Sequence, residues 1–78
     1  MNTKKLSLEG LIFEATKINI KKNILTITLN RPERKNAINS VMTNEINYAL
    51  AYAKQERSIR VIVLAAEGDI FCAGADLK

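Results

Sequence analysis

From Ala15 to Asn30 the chain alternates: "ATKINIKKNILTITLN" sets Ile18 and Ile20 on one face of a first strand, then Leu25, Ile27 and Leu29 on one face of a second. A repeat of two marks strands with one side turned to a core. Lys22 and Asn23 fall between them. Because asparagine tolerates a positive φ, a hairpin reversing at Lys22-Asn23 is expected, although Lys-Asn is a weaker signal than Asn-Gly. The repeat then breaks. In "RPERKNAIN" Pro32 pushes Arg31 out of the helical region and ends the strand, and Ser40 is placed to accept a bond from the free amides that open a helix. From Val41 to about Arg57, Met42, Ile46, Ala49, Leu50 and Ala53 recur at three and four, and Asn44, Asn47, Lys54 and Gln55 make up the other face. This spacing predicts an amphipathic helix. "RVIVLAA", Arg60–Ala66, is a continuous apolar run, the pattern of a strand covered on both faces. A helix before such a strand makes a strand, helix, parallel strand unit with an expected right-handed crossover, so the class is α/β. Glu67-Gly68-Asp69 reads as a turn.

Size and charge narrow this only slightly. A chain of 78 residues, 47% hydrophobic, supports one domain at most. At this length folding buries about 60 to 65% of the unfolded surface, and stability is marginal. The formal charge of +4 comes from 12 basic and 8 acidic residues, scattered except at Lys4-Lys5, Lys21-Lys22 and Arg31 to Lys35. Such a bias suits a phosphate-bearing ligand. Nucleic acid is not expected as a partner, because aromatic residues are 5% and no stacking platform of the RNP type occurs. Cys72 is the single cysteine and there is no histidine, which excludes an internal disulfide, a zinc site and a Cys/His nucleophilic pair within the chain. Beside Phe71, Cys72 reads as a small buried hydrophobe. Tyr48 and Tyr52, one helical turn apart, read as packing residues. Ser7, Glu9 and Gly10 interrupt any apolar stretch near the N-terminus, and no segment approaches the ~18 apolar residues of a membrane span. A cytoplasmic protein without membrane contact is expected, its residues 1–12 a disordered or extended N-terminus.

The chemistry concentrates in "FCAGADLK", Phe71 to Lys78, which follows a sheet strand at its carboxyl end, where ligand sites of open α/β sheets lie. The side chains of Ala73, Gly74 and Ala75 are too small to cover their own amides, and Gly74 permits positive φ. Amides aimed at a carbonyl oxygen stabilise the anion that develops there. Asp76 suits an N-cap, with Leu77 and Lys78 beginning a helix. By spacing alone "CAGAD" reads first as a tight turn built of small residues for close contact and only second as a backbone binding loop, and composition does not settle which. No dinucleotide or P-loop fingerprint is present.

Taken together, "ITLNRPERKNAIN" at Ile27 to Asn39, a helix, and "IRVIVLAAEGDIFCAGADLK" at Ile59 to Lys78 resemble the N-terminal part of the enoyl-CoA hydratase/isomerase (crotonase) superfamily. The resemblance implies a fold of repeated ββα turns wound into a spiral, of which residues 13–78 would be the truncated N-terminal portion: hairpin, helix, buried strand and oxyanion loop. It implies an acyl-CoA thioester substrate, no cofactor apart from the coenzyme A of that substrate, no metal, and a homotrimer or hexamer of the full-length protein. In that family the amide of the residue after the glycine of "AGAD" donates one of two oxyanion-hole bonds, a role that would fall to Ala75. The same backbone holds the adenine end of coenzyme A, which implies contacts at Ala73, Ala75, Asp76 and Leu77. The "RKNA" residues border pantetheine and phosphate, which implies Arg34, Lys35 and Ala37; Arg34 and Lys35 read equally as solvated loop charges.

The reaction implied first is hydration of trans-2-enoyl-CoA, with Δ3,Δ2-enoyl-CoA isomerisation or another reaction of the superfamily as the alternative, since one half-site serves many chemistries. A crotonase-like binding protein without chemistry is a further alternative. The second oxyanion donor and the acid and base residues are expected beyond Lys78, so the chain alone is expected to be inactive and, through exposed apolar edges, self-associating.

Overall fold

A computed structural model of the protein describes residues 6–75. Strand β1, Thr16–Lys21, pairs antiparallel with β2, Ile24–Leu29, with Ile18 opposite Ile27 and Ile20 opposite Leu25. Lys21 and Ile24 close the ladder, which leaves Lys22-Asn23 as the two-residue turn. The positive φ of 57° falls on Lys22, not on Asn23 as expected. Asn23 is engaged elsewhere. Its carbonyl accepts from the amides of Arg60 (2.8 Å) and Val61 (3.2 Å), and its Nδ2 donates to the Ser58 carbonyl at 2.9 Å. Asn23 therefore begins the pairing of β2 with β3, Val61–Ala66, which runs parallel to β2. The sheet order is β1-β2-β3.

Between β2 and β3 lie a short 3-10 turn, Pro32–Arg34, and helix α1, Ser40–Gln55. The helix cap is Asn39 rather than Ser40: the Asn39 side chain accepts from the Met42 amide at 2.9 Å. Ser40 already belongs to the first turn. The helix stops two residues before Arg57, where Glu56 turns extended and its amide reaches back to the Tyr52 carbonyl at 3.1 Å.

The alternation of β2 meets the three-and-four spacing of α1 as expected. Leu25 and Ile27 are fully buried against Ala49 and Ala53, with Ile18, Ile46, Tyr52 and Ile59 around them. The two alanines, one turn apart, allow the helix close to the sheet. A second cluster joins Ala15, Leu29 and Met42 to Ile38, Ala66 and Cys72, and Ile46 touches both clusters. Leu50, expected in the apolar stripe, is exposed, because one residue beyond Ala49 is about 100° further round the helix. Ile20 is likewise exposed at the far end of β1.

Strand β3 departs most from expectation. Val61, Ile62, Val63 and Leu64 are each 40 to 50% exposed, where the sequence predicted a strand covered on both faces. The helix lies over β1 and β2, and among the described residues β3 has β2 as its neighbour on one edge alone. An apolar strand with a free edge is a template for further pairing. The isolated chain is therefore expected to sediment as species larger than its 8.7 kDa monomer at high concentration. A strictly monomeric profile would show that the edge is not sticky.

Of the N-terminal segment, Met1–Lys5 lie outside the described residues. Leu6 exchanges two bonds with the Gln55 carboxamide (3.0 and 2.6 Å). The Tyr48 hydroxyl donates to the Ser7 carbonyl at 2.8 Å, so this tyrosine serves as a polar anchor rather than as packing alone. The Glu45 carboxylate accepts from the amides of Glu14 (2.7 Å) and Ala15 (3.0 Å) and from the Thr16 hydroxyl (2.7 Å). Three side chains of α1 thus hold the strap that leads into β1.

Candidate functional site

Two loops meet at the carboxyl end of the sheet, residues 30–39 after β2 and residues 67–75 after β3. The first is wound tightly on itself. Pro32, with φ preset for a helical turn, starts the 3-10 turn, and the amides of Arg34, Lys35, Asn36 and Ala37 all donate to carbonyls of residues 31–34. Lys35 and Asn36 both have positive φ, 53° and 55°, and this reverses the chain. Arg31 closes the loop with its guanidinium, which donates to the Ala37 carbonyl. Both main-chain groups of Ala37 are thereby engaged within the loop.

Asn36 is fully buried. Its Oδ1 accepts from the Arg31 amide at 2.7 Å, and its Nδ2 donates to the carbonyls of Glu67 (2.7 Å) and Ile70 (2.8 Å). One carboxamide therefore fastens the first loop to the turn that opens the second. Gly68 permits the approach: its φ is 86°, and a Cβ there would sit 3.0 Å from the Pro32 Cβ.

Further along, the Ala73 amide donates to the Lys35 carbonyl at 3.0 Å, and the Ile38 amide donates to the Gly74 carbonyl at 2.8 Å. Ile38 and Ala75 form an isolated parallel bridge. The orientation of the next amide follows from peptide geometry. In a trans peptide the C=O and N–H point in opposite directions, and the described chain has no cis bond. Since the Gly74 carbonyl is aimed at Ile38, the Ala75 N–H is aimed away from it, out of the loop pair. Gly74 has a φ of 109°, a value that other residues avoid. Ala73, Gly74 and Ala75 are all exposed. Cys72 is half-buried in the second core cluster, and its Sγ accepts a long bond (3.4 Å) from the Gly74 amide.

An open cavity of about 220 Å³ lies beside the loops, lined by Pro32, Lys35, Glu67, Asp69 and Ile70. Lys35 shares it with two acidic residues, so its charge is mixed. Glu67 also pairs with Lys17 at 3.1 Å, an exposed contact of small energetic weight. Arg34 is exposed on the first loop. Of the residues expected at the site, Lys35 and Ala73 are bonded across the two loops, Ala75 is bridged to Ile38, the neighbour of Ala37, and Arg34 is exposed on the first loop, while Asp76 and Leu77 lie outside the described residues. Among the described residues, no group of three histidine, cysteine, aspartate or glutamate side chains could hold a metal ion, and no helix is long and apolar enough to cross a membrane.

Two residues that shape the site were not singled out from the sequence. Asn39 was hidden by Ser40, a neighbour with an equal claim to the cap. Asn36 had one readable signal, an asparagine in a loop that needs positive φ, but its burial depends on a turn thirty residues away.

The family profile described as "Enoyl-CoA hydratase/isomerase" matches residues 19–78. The chain belongs to the enoyl-CoA hydratase/isomerase family. Its matches include a probable enoyl-CoA hydratase of Mycobacterium leprae, 48% identical over 58 residues, which are 70% of this chain and 24% of the relative. A second is the 1,2-epoxyphenylacetyl-CoA isomerase of Escherichia coli, 39% identical over 76% of this chain and 22% of the enzyme. Among solved structures, an enoyl-CoA hydratase/isomerase from Mycobacterium paratuberculosis superposes with a TM-score of 0.82 at 33% identity, covering 86% of this chain and 26% of that one. A carnitinyl-CoA dehydratase from Mycobacterium avium gives 0.77 at 39% identity, over 81% of this chain and 25% of its own. The chain spans about a quarter of the length of these relatives. Hairpin, helix and following strand correspond to the N-terminal part of this crotonase fold, the class expected from the sequence.

Proposed function

We propose that this segment supplies the first half of an acyl-CoA active site in an enzyme that hydrates trans-2-enoyl-CoA, with the Ala75 amide as one of two donors to the thioester oxygen. The observation that carries the reading is the fixed 74–75 peptide: its carbonyl is held by Ile38, and its N–H is turned outward from an exposed, nearly side-chain-free loop. A bond accepted by the carbonyl also polarises the peptide and strengthens its N–H as a donor. As negative charge grows on the thioester oxygen, such a donor needs no reorganisation. Water addition then requires acid and base groups from elsewhere in the full-length protein.

Coenzyme A would lie across the two loops. With the Ala73 amide already bonded to Lys35, the contribution of Ala73 is its carbonyl, an acceptor suited to the adenine amino group. Lys35 and Arg34 would meet the phosphates, and Ala37 would offer a small surface to pantetheine. The matched E. coli enzyme isomerises 1,2-epoxyphenylacetyl-CoA, which supports isomerisation of an acyl-CoA thioester on the same half-site as a second reading, with a Δ3,Δ2-enoyl-CoA as its candidate substrate.

The test is turnover by the full-length gene product. Crotonyl-CoA is expected to lose its conjugated-thioester absorbance as water adds, while a 3-enoyl-CoA gaining that absorbance would favour the isomerase. Neither change, together with no heat of binding for acetyl-CoA, would remove the acyl-CoA reading.

A further inference from the structure

We infer that Asn36 is a positioning residue for the oxyanion-donating peptide, coupling the first loop to the second so that the Ala75 N–H keeps its aim; this rests on the reading of Ala75 as the donor. The two loops are joined at two levels. Lys35, one residue before Asn36, and Ile38, two residues after it, make the backbone bonds to Ala73 and Gly74 that orient the donor peptide. Asn36 itself holds the carbonyls of Glu67 and Ile70, the two ends of the turn from which the second loop departs. Its Oδ1 meanwhile fixes the Arg31 amide at the root of the first loop.

No other side chain of similar size satisfies this set. Only a carboxamide offers two N–H donors and an acceptor in one plane, and only one orientation of it faces donors to the two carbonyls and the acceptor to the amide. The backbone adds a second condition, since a φ of 55° favours asparagine or glycine. Aspartate has the same shape but would point an oxygen at the carbonyls of Glu67 and Ile70. Glycine keeps the backbone freedom and removes all three bonds.

Asn36→Asp and Asn36→Gly are made in the full-length protein and assayed with crotonyl-CoA. Both are expected to lower kcat about 10- to 100-fold, less than or equal to the loss of a whole oxyanion donor, with KM changed by no more than about threefold. Hydrogen exchange read by mass spectrometry supplies the measurement that a merely structural role would not produce. Peptides covering 31–40 and 67–75 are expected to exchange about tenfold faster or more in the variants, while peptides from β2 keep the wild-type rate. A folded Asn36→Gly protein with kcat within about twofold of wild type, or exchange raised equally everywhere, overturns the inference. Should neither variant fold, the wild type in rising urea decides: the two peptides opening together supports the coupling, and independent opening overturns it. A wild-type protein inactive on acyl-CoA removes the reading of Ala75 instead, and the exchange measurement still reports whether Asn36 joins the loops.

Discussion

Gly74→Ala in the full-length protein is expected to lower kcat for acyl-CoA turnover about 100- to 1000-fold, the range seen when one oxyanion donor is lost. The cause is the backbone rather than space. A Cβ on Gly74 meets nothing within 4 Å, yet the φ of 109° lies in a region that only glycine occupies freely. Alanine relaxes toward negative φ, and that rotation swings the 74–75 peptide. The Gly74 carbonyl then leaves the Ile38 amide and the Ala75 N–H leaves its outward direction, because one plane carries both. Overall stability should change much less, since none of the two core clusters includes Gly74. Steady-state kinetics beside thermal unfolding tests this. A Gly74→Ala protein with kcat within a few fold of wild type would show that the peptide keeps its direction by other means, and Ala75 would lose its claim as the donor.

The parts of this molecule that sequence made legible are those set by neighbouring residues. The alternation of Leu25, Ile27 and Leu29 located a core face, and the spacing of Met42, Ala49 and Ala53 located the helix face that meets it. Both patterns are local and repeat often enough to be read. The turn at Lys22-Asn23 was located correctly, but the assignment of its positive φ failed because Asn23 is drawn into contacts with Ser58, Arg60 and Val61. The exposure of β3 was hidden for a related reason: an apolar run records a demand for cover, not the presence of it. In the site, "CAGAD" showed where small side chains bare the backbone. Which amide is bonded and which points outward depends on Lys35 and Ile38, distant in sequence, and could be settled only by geometry. Asn36 is the extreme case, a polar residue whose burial and three bonds leave almost no local trace.

The same dependence on long-range partners makes Ile27 the most sensitive core position. It is fully buried, lies opposite Ile18 in β1 and beside Leu64 in β3, and packs against the alanines of α1. Ile27→Ala removes three carbons from the centre of the larger cluster and leaves a space that neither the paired strands nor the helix can readily fill. Such truncations cost about 2 to 5 kcal/mol, the lost transfer energy plus the cavity. A single core in a chain this short supplies no more than about 3 to 5 kcal/mol of net stability. The isolated Ile27→Ala chain is therefore expected to be largely unfolded at 25 °C. Val63→Ala, at an exposed position of β3, should cost less than about 1 kcal/mol. Circular dichroism on heating, with all chains at one concentration dilute enough that each is monomeric because association shifts the midpoint, separates the two. Equal losses at both positions would mean that β3 is covered as thoroughly as β2 and that the free edge described above does not persist in solution.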